Sequence, residues 1–410
     1  MKKETGFFVR CALPLLLAAC DLIGSGGLPD RSRAETEIRR RQPTDDTTAV
    51  NPEDRPEVLW ISGVEYPEGY DWQRDTAYGK VDARLVLLRD GIRVLEIPAG
   101  ERQEISTDPD MHRIIGGHLY TDYSTGAETV IRCDGRELFR FGGREMMVGF
   151  LVRGEIVWTL GTDRAAGKGL FLRRNGVTVW SDPDGQLPPG FGNPAFEGGL
   201  LHMDGNEMFF YYRTSRGWFQ VHDRTAEPVV LPAGITDVHD IRHIGGEIVV
   251  AGKTDGWVLI IARDEEGCGC DLSSLDTRNV AILPVGSDGF LVRGDSVRWS
   301  SVTPTLWNPD GSIRLMSPEP VLGFFADGEH AVRLAAGTDG VPVRYVLDGE
   351  ETLIDGRNHF ISSRCALLHD GTFYLLLTPM DRQSAPFLLK DGIPEEIPVR
   401  GFLTGMTLTR

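Results

Sequence analysis

The residues in this sequence whose types and spacing suggest chemistry lie in two short segments. The first is His239-Asp240-Ile241-Arg242-His243, and two histidines at this spacing would share one face of a helix. On a β-strand, however, residues four apart lie about 14 Å from each other. Because the surrounding pattern favours strands, these histidines are too far apart for one metal ion, and no metal site is predicted.

The second segment contains Cys268 and Cys270, separated by one glycine and flanked by three acidic residues. Acidic neighbours raise the pKa of a thiol, which is the opposite of the setting that makes a cysteine reactive. In an oxidising compartment we expect Cys268 and Cys270 to form a local disulfide or to cap a hairpin. Redox chemistry or metal binding is the alternative.

The sequence contains no nucleophile elbow, phosphate-binding loop or zinc-binding helix. No catalytic residue and no cofactor are therefore predicted, although an active site assembled from scattered residues would leave no such motif. The 60 acidic and 43 basic residues give a formal charge of −17. This charge disfavours nucleic-acid binding, which depends on phosphate neutralisation.

The N-terminus has the features of a secretory signal. Lys2, Lys3 and Arg10 precede an apolar run, which ends in Leu17-Ala18-Ala19-Cys20. This tetrad resembles the lipobox of bacterial lipoproteins, and the resemblance implies that Cys20 carries the lipid and that residues 1–19 are removed. An ordinary secretory signal or a membrane-spanning anchor is the alternative, but the run is shorter than the ~20 residues a spanning helix needs.

Residues 20–55 are polar, lack an apolar period and include Arg39-Arg40-Arg41, a composition typical of a flexible tether. We therefore predict three parts: a signal peptide at 1–19, a lipidated and disordered tether at 20–55, and a folded body at 56–410. The predicted location is the bacterial cell envelope, with the body in the periplasm or at the cell surface. The sequence leaves open whether the inner or the outer membrane holds the anchor.

The body is predicted to be all-β because one unit recurs along it: an apolar run, an Asp-Gly or Asn-Gly turn, and a second run. Six such turns begin at Asp90, Asp134, Asn175, Asp310, Asp348 and Asp391, with spacings of 44, 41, 135, 38 and 43 residues. The long interval has room for two further units. We place these at 218–231 and 258–283. Four strands in every ~40 to 45 residues indicate a β-propeller blade.

Closure of the ring supports a count of eight four-stranded blades. The first unit begins with Val58-Leu59-Trp60-Ile61, which corresponds to a second strand, and the chain ends in an extra segment, 401–410. A C-terminal strand that completes the first blade leaves no unpaired edge. Seven blades with an extension, or a two-sheet sandwich, are the alternatives. The sequence lacks the Trp-Asp dipeptide of WD40 repeats and matches no specific propeller family.

In a propeller, the connections between second and third strands and between blades share one face, and here these are the long ones. Long loops on a rigid scaffold often carry function. The candidate binding residues are therefore those of the aromatic loop, Tyr66, Tyr70, Trp72, Arg74 and Tyr78, and those predicted to begin the innermost strands, His112, Arg144, Glu145, Asp237, His239, Arg357 and His359, with Asp110, Asp240 and Arg400 beside them.

The leading functional hypothesis is a lipid-anchored, non-catalytic scaffold that binds another envelope protein or a surface ligand through this face. Tyrosine and tryptophan favour such contacts because they combine a large apolar area with a polar tip, although the aromatic loop could equally pack on its neighbours. The alternative is an envelope hydrolase or lyase acting on a glycan or ester in the central mouth. The sequence does not indicate the oligomeric state.

Overall fold

The structure is a computed structural model. The chain divides into two compact units, residues 1–51 and 52–410, and every residue that the structure describes belongs to the second. The described residues are 57–70, 82–98, 112–124, 128–142, 145–163, 168–187, 201–254, 259–263, 266–269, 276–286, 289–298, 301–317, 319, 321–335, 343–354, 359–361, 364–380 and 384–409. The predicted signal and tether, including Cys20, lie outside them.

The second unit is an eight-bladed β-propeller, as the turn spacing predicts. Its strands form eight antiparallel sheets: six consist of four successive strands, one joins the C-terminal strand to the first three, and one has its innermost strand divided into two segments. The described residues contain strands and turns but no helix. A helix long and apolar enough to cross a bilayer is accordingly absent from this part of the chain.

The strands are given from the innermost outward. Blades 1 to 4 consist of β33 Gly401–Thr409, β1 Val58–Glu65, β2 Arg84–Arg89 and β3 Ile92–Pro98; β4 His112–Ile115, β5 His118–Ser124, β6 Glu128–Cys133 and β7 Arg136–Gly142; β8 Glu145–Arg153, β9 Ile156–Asp163, β10 Lys168–Arg174 and β11 Val177–Asp182; and β12 His202–Asp204, β13 Glu207–Thr214, β14 Gly217–His222 and β15 Thr225–Val229.

Blades 5 to 8 consist of β16 Asp237–Ile244, β17 Glu247–Lys253, β18 Leu259–Arg263 and β19 Glu266–Gly269; β20 Asp276–Val285, β21 Gly289–Arg298, β22 Ser301–Trp307 and β23 Ile313–Met316; β24 Val321–Ala326, β25 Ala331–Ala335, β26 Arg344–Leu347 and β27 Glu350–Leu353; and β28 His359–Phe360 with β29 Ala366–His369, β30 Thr372–Pro379, β31 Phe387–Lys390 and β32 Ile393–Glu396. The innermost strand of blade 8 is thus interrupted between β28 and β29.

The core of the propeller lies between blades. The described residues form eight apolar clusters, and each cluster lies at one of the eight junctions. Both faces of a sheet are therefore buried, which explains why the second strands read as apolar runs rather than as alternating patterns. Fully buried side chains such as Leu160 and Trp307 each contribute about 1.5–3 kcal/mol through burial.

The Asp-Gly and Asn-Gly turns join the third strand of a blade to the fourth. In the turn of blade 1, φ is 48° at Asp90 and 77° at Gly91, as a type I′ hairpin requires. The aspartate has a second role, because its Oδ1 accepts a hydrogen bond of 2.9 Å from the N–H of Leu59 on the second strand. The same bond recurs in the pairs Leu119–Asp134, Val157–Asn175, Ala331–Asp348 and Phe373–Asp391.

The C-terminal strand closes the ring, as predicted. Strand β33 pairs antiparallel with β1, from Val58 opposite Thr409 to Glu65 opposite Gly401. The N–H of Met406 in β33 also donates to the carbonyl of Arg364 in blade 8, at 3.1 Å. The guanidinium of Arg364 reaches past β33 and donates to the carbonyl of His112 in blade 2. Arg364 of blade 8 therefore bonds both to the closing strand of blade 1 and to the innermost strand of blade 2.

One of the two hidden blades differs from the prediction. Blade 4 ends in β14 and β15 as expected, but the segment 280–283 is not the last strand of blade 5. It belongs to β20, the innermost strand of blade 6. Blade 5 ends instead with β19, which pairs with β18. Apolar content alone does not distinguish an innermost strand from its neighbours, because both are buried on two faces.

Candidate functional site

The strand order separates two faces of the propeller. The loop-rich face carries the connections between second and third strands and those between successive blades. The predicted long connections 66–80, 100–111, 161–168, 182–196 and 378–386 join strands in these two ways and lie partly or wholly outside the described residues. The tight-turn face carries the other two kinds of connection. All innermost strands begin at the loop-rich face, and their first residues define what we call the central mouth.

The described mouth residues divide into buried and accessible ones. His112 and Glu145 are 2% and 9% exposed, whereas Asp237 is exposed and His239 and His359 are half-buried. His239 occupies a β-bulge, since the pairing of β16 with β17 shifts between Val238 and Asp240. Bulges re-aim side chains next to binding sites, so His239 remains a candidate for ligand contact.

Glu145 stabilises blade 3 rather than facing a ligand. It forms a salt bridge with Arg173 of β10, and the guanidinium of Arg173 also lies 4.5 Å from the ring centroid of Phe141 in blade 2. Gly161 leaves the room for this pair, because a Cβ there would lie 1.7 Å from Oε1 of Glu145. Breaking a buried ion pair is costly, and this contact therefore serves the junction of blades 2 and 3.

The side chain of Asp240 likewise has a structural role. Its side chain is 2% exposed, and its oxygens accept hydrogen bonds from the N–H of Ile241 at 2.8 Å, from Nε of Arg242 at 3.3 Å and from the N–H of Ile282 at 2.8 Å. Ile282 lies on β20. The carboxylate therefore links the innermost strands of blades 5 and 6.

The aromatic loop begins beside the central mouth. Tyr66 donates its N–H to the carbonyl of Arg400 at 2.8 Å, and Arg400 immediately precedes β33. The loop then turns, with Tyr70 donating its N–H to Pro67 at 3.2 Å and Gly69 at a φ of 80°. The exposed side chains of Glu68 and Arg400 approach to 3.6 Å. The first turn of the loop therefore lies next to the innermost strand of blade 1.

Tyr66 is a core residue, which corrects its prediction as a contact residue. It is 5% exposed and belongs to the apolar cluster between blades 1 and 2. Its ring centroid lies 5.1 Å from that of Tyr70 and 6.2 Å from that of Phe402. Phe360 of blade 8 packs edge-on against Phe402 at 5.3 Å. We call these four rings the aromatic junction; its half-buried members are Tyr70 and Phe360.

An ion pair between the buried Glu65 and the more exposed Arg93 stabilises the backbone beside the aromatic junction. Glu65, the residue before Tyr66, accepts hydrogen bonds of 2.9 and 2.8 Å from the two terminal nitrogens of Arg93. Arg93 also donates to the carbonyl of Pro398 at 3.1 Å. The guanidinium beside Glu65 lowers the pKa of its carboxyl, and a hydrogen bond from the backbone of Arg400 acts in the same direction. The carboxylate thus fixes the start of β33 against the end of β1.

Several predicted site residues lie outside the described part of the chain: Cys20, Trp72, Arg74, Tyr78, Asp110, Arg144, Cys270 and Arg357. Cys268 lies on β19, the outermost strand of blade 5, and its side chain is outside the described atoms. The disulfide between Cys268 and Cys270 therefore stays a prediction.

Two clusters of potential metal ligands among the described residues were not predicted from the sequence: Glu57 with His369 and Asp370, and a second one in blade 2. His118, Cys133 and Asp134 each place one potential ligand atom within 4.8 Å of the others. They are 15 residues apart in sequence, and only the hairpin of β5 and β6 brings them together. The available signal was the Cys-Asp-Gly turn of blade 2, because the other turns of this kind lack the cysteine.

The sequence matches no protein-family model and no curated protein. Similar solved structures include AztD from Citrobacter koseri, at 13% identity over 86% of this chain and 97% of that one, with a TM-score of 0.42. The β-propeller domain of the trilobed protease from Pyrococcus furiosus is similar at 12% identity over 67% of this chain and 88% of that one, with a TM-score of 0.39.

A puromycin-hydrolysing peptidase from Mycobacterium tuberculosis is similar at 13% identity over 62% of this chain, with a TM-score of 0.40, and this chain spans only 46% of its length. At these identities the likeness concerns the fold alone, and the activities of these proteins are not carried over. The chain is an eight-bladed β-propeller closed by its C-terminal strand.

Proposed function

We propose that this protein is a lipid-anchored binding scaffold of the bacterial cell envelope, which captures another envelope protein at the aromatic junction of blades 8 and 1. The observation that carries the proposal is the position of Tyr70 and Phe360, half-buried beside the exposed pair Glu68 and Arg400 at the edge of the central mouth. Aromatic rings with arginine at a fixed position are the typical composition of binding hot spots.

The rigidity of this surface supports a binding role. Tyr70 is held by the turn at 67–70, by the ring of Tyr66 and, through Tyr66, by the backbone of Arg400. A preordered surface loses little conformational entropy when a partner binds. The surface is therefore suited to protein recognition with little rearrangement.

The alternative is an envelope enzyme that cleaves a glycan or an ester in the central mouth. Such an enzyme would need acidic groups that converge on a substrate. Among the described mouth residues, Glu145 is paired with Arg173 and Asp240 is held by three donors. These contacts favour the binding role over the enzymatic one.

The binding proposal is tested by capture from detergent-solubilised native membranes with the tagged full-length protein. We expect one partner to be captured in stoichiometric amount by the wild type and to be lost with Tyr70→Ala. The matched control is Ile393→Ala, which removes a side chain that is 71% exposed on the outer strand of blade 8. Equal capture by all three proteins would refute the role of the aromatic junction, and a substrate screen would follow.

The lipid anchor is tested separately. Mass spectrometry of the N-terminal peptide is expected to show acyl chains on Cys20, and Cys20→Ala is expected to move the protein from the membrane to the soluble fraction, since two or more acyl chains hold a protein stably. Cys365→Ala is the control, because Cys365 is buried in the propeller. An unmodified residue 20 in a membrane-bound protein would refute the lipoprotein assignment.

A further inference from the structure

Blade 2 places three side chains of types that can bind a metal on the tight-turn face. His118 is the first residue of β5, Cys133 is the last residue of β6, and Asp134 follows on the turn. Nδ1 of His118 lies 2.7 Å from Oδ2 of Asp134, and one ligand atom of each residue lies within 4.8 Å of the other two. This face is opposite to the aromatic junction.

The hairpin itself fixes two of the three side chains. Oδ1 of Asp134 accepts from the N–H of Leu119 at 2.9 Å, which leaves Oδ2 directed towards His118. Cys133 pairs across the strands with Tyr120, so the two side chains lie on the same face of the sheet. Metal ligands are typically oriented by outer hydrogen bonds such as the one from Leu119 to Asp134.

Blade 7 has the same histidine-aspartate pair as blade 2 but lacks the cysteine. There Nδ1 of His330 lies 2.6 Å from Oδ2 of Asp348, and Oδ1 of Asp348 accepts from the N–H of Ala331. The histidine-aspartate pair is thus a recurrent feature of these blades. Leu347 stands where blade 2 has Cys133, so the free, half-buried thiol of Cys133 is what distinguishes blade 2.

We propose that His118, Cys133 and Asp134 bind one zinc ion, with a fourth position left for water or for a donor from a partner. Thiolate, imidazole and carboxylate together are the donor set that zinc prefers, whereas calcium and magnesium take oxygen ligands. Zinc needs bonds of about 2.0–2.3 Å. The side chain of His118 is 58% exposed and is therefore free to rotate by the small amount that closure requires.

A bound dication would change the electrostatic surroundings of the Cys133 thiol. Burial and the nearby carboxylate of Asp134 raise the pKa of Cys133. A dication at this position reverses the effect, because it stabilises the thiolate and neutralises the repulsion between the two anionic groups. Zinc binding at this site is therefore expected to release the proton of the Cys133 thiol.

The test uses the purified full-length protein in detergent and competition with a chromophoric zinc chelator. The variants copy residues from other blades: Cys133→Leu reproduces Leu347 of blade 7, and Asp134→Asn reproduces Asn175 of blade 3 while keeping the bond to Leu119. Each is expected to fold and to weaken zinc binding by at least about tenfold, the low end of the losses seen even for outer-shell changes. His330→Ala is the control and should bind zinc as the wild type does.

Two further measurements make the result independent of folding. Cobalt-loaded wild type should show a thiolate-to-cobalt charge-transfer absorption that Cys133→Leu lacks, while Cys268 and Cys270 remain in both proteins. Zinc should also protect Cys133 of the wild type from alkylation, as measured by peptide mass spectrometry. Equal zinc affinity in the wild type and Cys133→Leu, or an unprotected Cys133, would overturn the proposal.

Discussion

The indole Nε1 of Trp60 donates a hydrogen bond of 2.9 Å to the hydroxyl of Thr409, 349 residues later in the chain. Trp60 lies in the first strand of the propeller and Thr409 at the end of the last. The two ends of the folded body thus belong to one blade, and the C-terminal strand gives that blade its fourth strand.

We expect a chain ending at Arg400 to lose cooperative folding. The missing segment contains Phe402 and Leu403, which are 4% and 1% exposed, and each such burial is worth about 1.5–3 kcal/mol. The control is Thr409→Val, which removes one hydrogen bond and should cost about 1 kcal/mol. Thermal unfolding followed by circular dichroism measures both. A truncated protein with the wild-type transition would contradict the closure.

The turn at Asp391 provides a test of the recurrent aspartate cap. Asp391→Ala removes the bond to the N–H of Phe373 and places alanine at a φ of 47°, so a loss of about 1–3 kcal/mol is expected. Asp391→Asn keeps the acceptor and the tolerance for positive φ, and blade 3 already uses asparagine. Denaturant unfolding should therefore separate the two variants; equal losses would show that the side-chain bond contributes nothing.

Gly116 and Gly117 form a matched pair on the turn that opens blade 2. Both have positive φ, 58° and 78°, but a Cβ at Gly117 would lie 2.6 Å from Cζ2 of Trp60, whereas at Gly116 the space is open. Both alanine variants share the backbone strain, and only Gly117→Ala forces the junction with blade 1 apart. We expect it to be less stable than Gly116→Ala by about 1–3 kcal/mol, measured by denaturant unfolding. Equal stabilities would mean that the indole moves freely.

The pair of Glu65 and Arg93 predicts a pH dependence of stability. Because Arg93 lowers the pKa of Glu65 below its usual 4.5, the unfolded chain binds more protons between the two pKa values, and stability rises with pH there. The contribution is present above about pH 4.5 and is lost as the pH falls through the folded-state pKa. Charge-assisted hydrogen bonds of this kind contribute about 1.5–3 kcal/mol.

Glu65→Gln is accordingly expected to be less stable than the wild type at pH 7, with the difference shrinking as the pH falls below about 4.5. Glu96→Gln is the control: Glu96 contacts Arg93 at 3.2 Å, but its side chain is 37% exposed compared with 11% for Glu65, and exposed pairs contribute little. Urea unfolding at several pH values measures both variants. A difference that stays constant with pH would show that Glu65 acts by packing and not by its charge.

The candidate site could be predicted from the sequence only in part. The aromatic loop follows a predicted second strand, which correctly placed its described residues, 66–70, on the loop-rich face. The burial of Tyr66 could not be foreseen, because it depends on Phe360 and Phe402, which are about 300 residues away and meet it only when the ring closes. The salt bridge between Glu145 and Arg173 could not be foreseen either, because it depends on the position of β10 and on the space at Gly161.

The sequence by itself determined the all-β class, the blade count and the closing strand, because type I′ turns demand Asp-Gly or Asn-Gly and recur at nearly constant spacing. The tertiary structure alone decided which polar side chains are available and which are used for support. It paired Asp240 with blade 6 and brought His118 to Cys133 and Asp134. Such contacts join strands or blades that are separate in sequence, and no local pattern encodes them.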